Sequence, residues 1–219
     1  MIELHAHTLF SDGELIPSEL VRREEAMGVR VLNISDHVDV SNVDHVVPRI
    51  AKAAAELSKL TSVTVLAGAE ITHAPPAQIA SLVKTARELG AQLVTVHGET
   101  ISEPVLPGTN HAGIEAEADI LAHPGLISED DVKLAAKRGV CLEISGRKGH
   151  GLSNGHVARL ALRCGAKLVF GNDTHDCADL VDRDQAERVL RGAGLDAAQI
   201  EQVWLNAEGL VAKALARRR

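Results

Sequence analysis

Tyrosine is absent from this 219-residue chain, and Phe10, Phe170 and Trp204 are its only aromatic residues. With no platform on which successive bases could stack and a formal charge of −7, the chain does not read as a dedicated nucleic-acid binder. The cysteines Cys141, Cys164 and Cys177 are odd in number and form no CxxC pair. That suggests neither a disulfide framework nor a thiolate zinc site and favours buried or half-buried free thiols. No apolar run approaches the roughly 18 residues that a bilayer span requires. Met1-Ile2-Glu3-Leu4-His5 has neither the basic start nor the apolar stretch of a signal peptide, so the expectation is a cytoplasmic protein without membrane attachment. The basic end Arg217-Arg218-Arg219 is better read as a helix terminus meeting its dipole than as a binding patch.

What is present is enough apolar material, 45% of residues, to bury a core in one domain spanning 1–219. Short β-branched apolar runs end near His5, Ser35, Ile71, His97, His123, Ser145 and Asn172, and stretches with helical periodicity separate them. Pro48 to Leu60 and Pro76 to Leu89 read as amphipathic helices, as do Asp196 to Trp204 and Asn206 to Arg218 near the end, which are expected to cover the outside. Ser128 begins another, with an acidic first turn. Seven βα units of roughly 30 residues predict an α/β fold, a distorted seven-stranded (βα)7 TIM-like barrel. A doubly wound sheet stays open as the alternative, though it would need a glycine-rich turn after the first strand, and His5-Ala6-His7-Thr8 is not one.

In a parallel barrel the C-terminal strand ends converge on one mouth. Read in order, these ends carry His5 and His7, Asp36 and His37, Glu70, His97, His123, then Asp173 and His175. His-x-His suits a strand because residues two apart share a face and both rings can reach one ion. Imidazole with carboxylate, and no thiolate, suits zinc, manganese or iron. Glu70, with two oxygens, is the natural bridge, and Asp36 is expected to orient one of the histidines. Glu143 shares a strand face with Ser145, Glu99 is a candidate gate, and Cys177 is expected to be buried. His45, His73, His111 and His156 fall off the strand-end pattern and are expected on the surface or in helix packing.

These motifs, H-A-H-T-L-F-S-D-G (5–13), S-D-H (35–37), G-A-E-I (68–71), V-T-V-H-G (94–98), L-A-H-P-G (121–125) and G-N-D-T-H (171–175), resemble those of the PHP family, the polymerase and histidinol phosphatase domain. The resemblance implies three divalent metal ions. One would be held by His5, His7, Glu70 and Asp173, a second by Glu70, His97 and His123, and a third by Asp12, His37 and His175. Asp12 stands where some family members place a histidine one residue later.

The activity expected is hydrolysis of a small phosphate monoester, such as histidinol phosphate, by a hydroxide bridging two metals, with Glu70, Asp173 and His175 as the catalytic residues. In Ser145-Gly146-Arg147-Lys148-Gly149-His150-Gly151 the cations Arg147, Lys148 and His150 are the candidates to bind substrate, a small phosphorylated metabolite. Two other readings stand beside this one. An amidohydrolase-like C–N hydrolase also uses strand-end His-x-His, but it normally wants a carbamylated lysine where Glu70 stands. The third is a metal-stabilised accessory module without turnover. Composition leaves the oligomeric state open.

Overall fold

The computed structural model describes residues 1–217, so Arg218 and Arg219 lie outside the described residues. These residues form eight strands and eight α-helices. The first half contains β1 (Ile2–Ala6), α1 (Pro17–Ala26), β2 (Val31–Ile34), the short β3 (His37–Val38), α2 (Val43–Leu60), β4 (Thr64–Ile71) and α3 (Pro76–Glu88). The second half contains β5 (Leu93–His97), α4 (Thr109–Glu115), β6 (Ile120–Ala122), α5 (Glu129–Arg138), β7 (Cys141–Ser145), α6 (Asn154–Cys164), β8 (Leu168–Gly171), α7 (Arg183–Gly192) and α8 (Ala197–Ala216).

Seven strands pair in parallel in the order β1-β2-β4-β5-β6-β7-β8, and β3 adds a short extra pairing to β4. The barrel closes at its mouth rather than along its whole height. Past the end of β8, Asp173 N donates to His5 O at 2.9 Å and His7 N donates to Thr174 O at 2.8 Å. This is the distorted seven-stranded barrel that the alternation of elements predicts.

A register shift in β1 decides what faces inward. Ile2 pairs with Val31 and Glu3 with Leu32, but Ala6 pairs with Ile34, so one residue is extra between Glu3 and Ala6. In a regular strand Leu4 and His5 would point to opposite faces. The bulge allows both sets inside, with Ile2 and Leu4 in the lower barrel core and His5 and His7 at the mouth. Glu3 is left on the other side, where it and Glu24 of α1 are both buried.

The lower core joins Ile2, Leu4, Leu66, Leu93, Cys141 and Val169 to Ala207, Leu210 and Ala214 of α8. The C-terminal residues therefore do more than cover the outside: one 20-residue helix, capped by Asp196 and Gln199, plugs the bottom of the barrel. The expected break between Trp204 and Asn206 does not occur, because Asn206 donates its side chain to Leu168 O and stays helical. Arg217 reaches back to the buried Asp119 at 2.8 Å, so this part of the basic end is structural. Helix α2 begins at Val43, earlier than its proline suggested, and accommodates Pro48 inside. Cys141 is buried in the barrel, but Cys177 is exposed, which corrects the expectation of burial. No helix among the described residues is long and apolar enough to cross a membrane.

Candidate metal centre

Every strand-end donor arrives at the barrel mouth around Glu70. Its Oε1 lies 3.4 Å from His5 Nε2, 3.5 Å from His97 Nδ1 and 3.6 Å from His123 Nε2. Its Oε2 lies 2.8 Å from His37 Nδ1 and 3.7 Å from His7 Nε2. Asp173 forms a second focus, with Oδ1 at 3.0 Å from His7 Nε2 and 3.6 Å from His5 Nε2. Asp12 forms the third, with Oδ1 at 3.2 Å from His175 Nε2 and 3.4 Å from His37 Nε2.

Donor atoms within 4.8 Å of one another recur in four overlapping sets: His5, His7 and Glu70; His5, His123 and Asp173; His37, Glu70 and His97; and His7, Asp12, His37 and His175. His5 Nε2, Glu70 Oε1, Asp173 Oδ1 and both ring nitrogens of His7, His97 and His123 are buried and make no hydrogen bond. Buried polar atoms almost always find partners, and so dense a group of orphans, all of them nitrogen or carboxylate oxygen, suits divalent cations. Burial pushes the His7 ring down to about 3, which keeps the imidazole neutral with a lone pair free. Burial alone would raise Glu70 and Asp173, yet the imidazoles around them, His5 foremost, hold both carboxyls well below their usual range.

Neighbouring backbone and side chains aim these donors. Glu143, buried on β7, accepts from His5 Nδ1 at 2.7 Å and leaves Nε2 facing Glu70. Gly171 makes room for this pair, since a Cβ there would stand 2.3 Å from Glu143 Oε2 and 2.8 Å from His5 Cβ. Gly13 makes room in the same way. A Cβ there would meet the His7 carbonyl at 2.6 Å, so only glycine lets the turn bearing Asp12 fold against His7. Among the described residues, four without a glycine's freedom hold positive φ, and His73 (50°), His123 (27°) and Asp173 (59°) are three of them. Backbone strain is thus concentrated at the mouth, where strained residues tend to be functional.

Some expected roles change. Asp36 touches no imidazole through a hydrogen bond; it accepts from Thr8 N, Thr8 Oγ1 and Ser11 Oγ, pinning the loop that delivers Asp12. Glu99 does not face the cavity as a gate but accepts from Gly108 N and Asn110 N at the start of α4, anchoring the loop after β5. Lys148 is exposed and away from the mouth. His150 is buried, stacks on His123 with ring centroids 4.2 Å apart, and bonds Thr100 through Nδ1 at 2.6 Å. Arg147 does line the mouth, but its Nη1 is engaged with Asp173 O at 2.9 Å and His175 Nδ1 at 2.6 Å.

His73 and Glu103 are the residues that strand-end reasoning misses. His73 falls off the strand-end pattern with His45, His111 and His156, yet it lines the mouth with Glu103. Glu103 lies in the loop after β5, where no periodicity marks it. The cavity these residues enclose is about 200 Å³.

The PHP domain profile matches residues 3–163. An uncharacterized protein of Methanocaldococcus jannaschii is 42% identical over 206 residues, 93% of this chain and 94% of its own. A chain of archaeal ribonuclease P, solved with mature tRNA, superposes with a TM-score of 0.74 at 14% identity, covering 98% of this chain and 91% of that one. The histidinol phosphate phosphatase of Lactococcus lactis, solved with zinc, L-histidinol and phosphate, superposes with a TM-score of 0.62 at 15% identity, covering 89% and 94%. At such identities the two structures share the fold with this chain.

Proposed function

The chain belongs to the PHP domain family, and from that premise we propose that it is a metal-dependent phosphoesterase acting on a small phosphate monoester. The observation that carries this reading is the set of buried, unpartnered imidazole and carboxylate atoms gathered on Glu70 at the barrel mouth. His5, His7, Glu70 and Asp173 would hold one divalent ion, Glu70, His97 and His123 a second, and Asp12, His37 and His175 a third, with zinc, manganese or iron suiting the donors. Ions bound there would lower the pKa of water and neutralise charge on the phosphoryl oxygens.

Around them the protein's own residues orient and select. Glu143 holds His5 in one ring orientation. Asp173, Glu70 and His175 serve as the catalytic residues in this reading. Arg147, anchored through Nη1, lines the cavity, where its charge can meet a phosphoryl oxygen. The cavity of about 200 Å³ admits a phosphoryl group with a compact leaving group. Trp204 and Phe170 pack on each other in the core, so neither is free to stack on a base.

The test is a screen of the purified chain, loaded with zinc or manganese, against phosphorylated metabolites, histidinol phosphate included, in parallel with oligonucleotides and with amide and deaminase substrates. Turnover of a monoester, lost in Asp173→Asn, is the expected result. Turnover of only an amide or an oligonucleotide would replace the reading. Inactivity on every substrate while metal remains bound would bring forward the accessory-module alternative. Arg147→Ala is expected to raise KM more than it lowers kcat, and unchanged catalytic efficiency would remove Arg147 from substrate binding.

A further inference from the structure

A fifth set shares His97 with the donors already assigned: His73, His97 and Glu103 place ligand atoms within 4.8 Å of one another. His73 Nε2 is hydrogen-bonded to Glu103 Oε2 at 3.2 Å, and His97 Nε2 stands 3.1 Å from the same oxygen without a hydrogen bond. The other carboxylate oxygen, Oε1, lies 3.4 Å from His150 Nε2.

His97 is the informative member. Its Nδ1 faces Glu70 at 3.5 Å, so the inner centre uses only that nitrogen. Its Nε2 is aimed the other way. The residue is 4% exposed, and Nε2 makes no hydrogen bond despite its closeness to Glu103. A short nitrogen–oxygen distance off the line of an N–H bond is what two ligands of one ion show, since donors bound at 2.0–2.2 Å stand about 3.0–3.5 Å apart. His73 is held in position by a backbone φ of 50°, a strained value for a non-glycine residue.

We propose that His73, His97 Nε2 and Glu103 form a further divalent-cation position at the outer lip of the mouth, of the nitrogen-and-oxygen type that zinc favours. A neutral imidazole has one nitrogen with a free lone pair. Filling the outer position through Nε2 therefore withdraws His97 from the inner ion bound through Nδ1. The outer site is weaker than the inner ones for that reason, and it fills only at excess metal, the inner ion then resting on Glu70 and His123. None of this depends on which substrate the inner centre acts on.

Zinc titration of the metal-stripped full-length chain, read by equilibrium dialysis and by competition with a chromophoric chelator, tests the proposal. The wild type is expected to bind one weak zinc equivalent beyond its tight ones, and Glu103→Gln and His73→Ala are each expected to lose that equivalent while keeping the tight ones. Absence of a weak equivalent in the wild type, or its persistence in both variants, overturns the site. So does a third outcome, in which Glu103→Gln loosens a tight equivalent by about 10–100-fold without changing the total bound, because Glu103 would then only orient His97. Melting temperatures establish that the variants fold. Anomalous diffraction from wild-type crystals soaked in zinc reads the same position without any substitution, and no anomalous peak between His73 and Glu103 would likewise overturn it.

Discussion

Single atoms decide much at this mouth, and Glu143 shows how. Its carboxylate fixes the ring of His5 from behind, and Gly171 supplies the space. Glu143→Gln weakens that acceptor, and Gly171→Ala pushes it away; each is expected to lower metal affinity or activity by about 10–100-fold. Metal binding measured by chelator competition, alongside turnover, checks both, and wild-type affinity in both variants would refute the orienting role. Glu24 behaves differently. It is 2% exposed, its Oε2 has no partner, and burial pushes its carboxyl up to about 7; Glu3, buried with it and repelled by it, is pushed up to about 8. Groups raised in the folded state keep their proton there longer than in the unfolded chain, so their contribution to stability is full below the ordinary carboxylate pKa and is lost as pH rises through about 7 to 8. Glu24→Gln is therefore expected to flatten the decline in stability between about pH 4.5 and 8, read by denaturant unfolding across pH. An equally steep decline would contradict it.

At the level of elements, the closing helix α8 is tied to the barrel by one buried carboxylate. Asp119 meets Lys213 Nζ and Arg217 Nη1 at 2.8 Å each, and Arg87 Nη2 at 3.4 Å. Burial works to raise its pKa, but Arg217 and Lys213 outweigh it and hold the carboxyl below the usual value. The stability this supplies is present above the unfolded-state pKa and is lost as pH falls through the folded-state one. Asp119→Asn is expected to cost about 1–3 kcal/mol at neutral pH, with a smaller difference from the wild type in acid. Equal midpoints at neutral pH would show that α8 is held by its apolar stripe alone. Among elements, the long strands and α3 were legible from alternation and from proline at the first turn. The start of α2 and the unbroken length of α8 were not, because tertiary packing overrides a mid-helix proline and an asparagine.

For the whole molecule, the mouth ties together loops from both ends of the chain, so ions that bind the folded state alone should stabilise all of it. At a hundred times the dissociation constant one such site contributes about 2.7 kcal/mol. Adding zinc or manganese is expected to raise the melting temperature, and a chelator is expected to lower it and abolish turnover. A melting temperature indifferent to both would show that these donors bind no ion appreciably. Eight of the nine donors proposed as ligands could be read directly from the sequence, because in a parallel barrel every strand ends at the same mouth and each short motif marks one strand end; Asp12, in the loop after β1, came only with the resemblance to the PHP family. The sequence also determined the barrel itself, through seven apolar runs alternating with helical ones. Only the tertiary structure decided the rest. Leu4 and His5 share the barrel interior because of a bulge that alternation cannot reveal. His73 and Glu103 reach the mouth from irregular loops, which have no period to betray which way a side chain points.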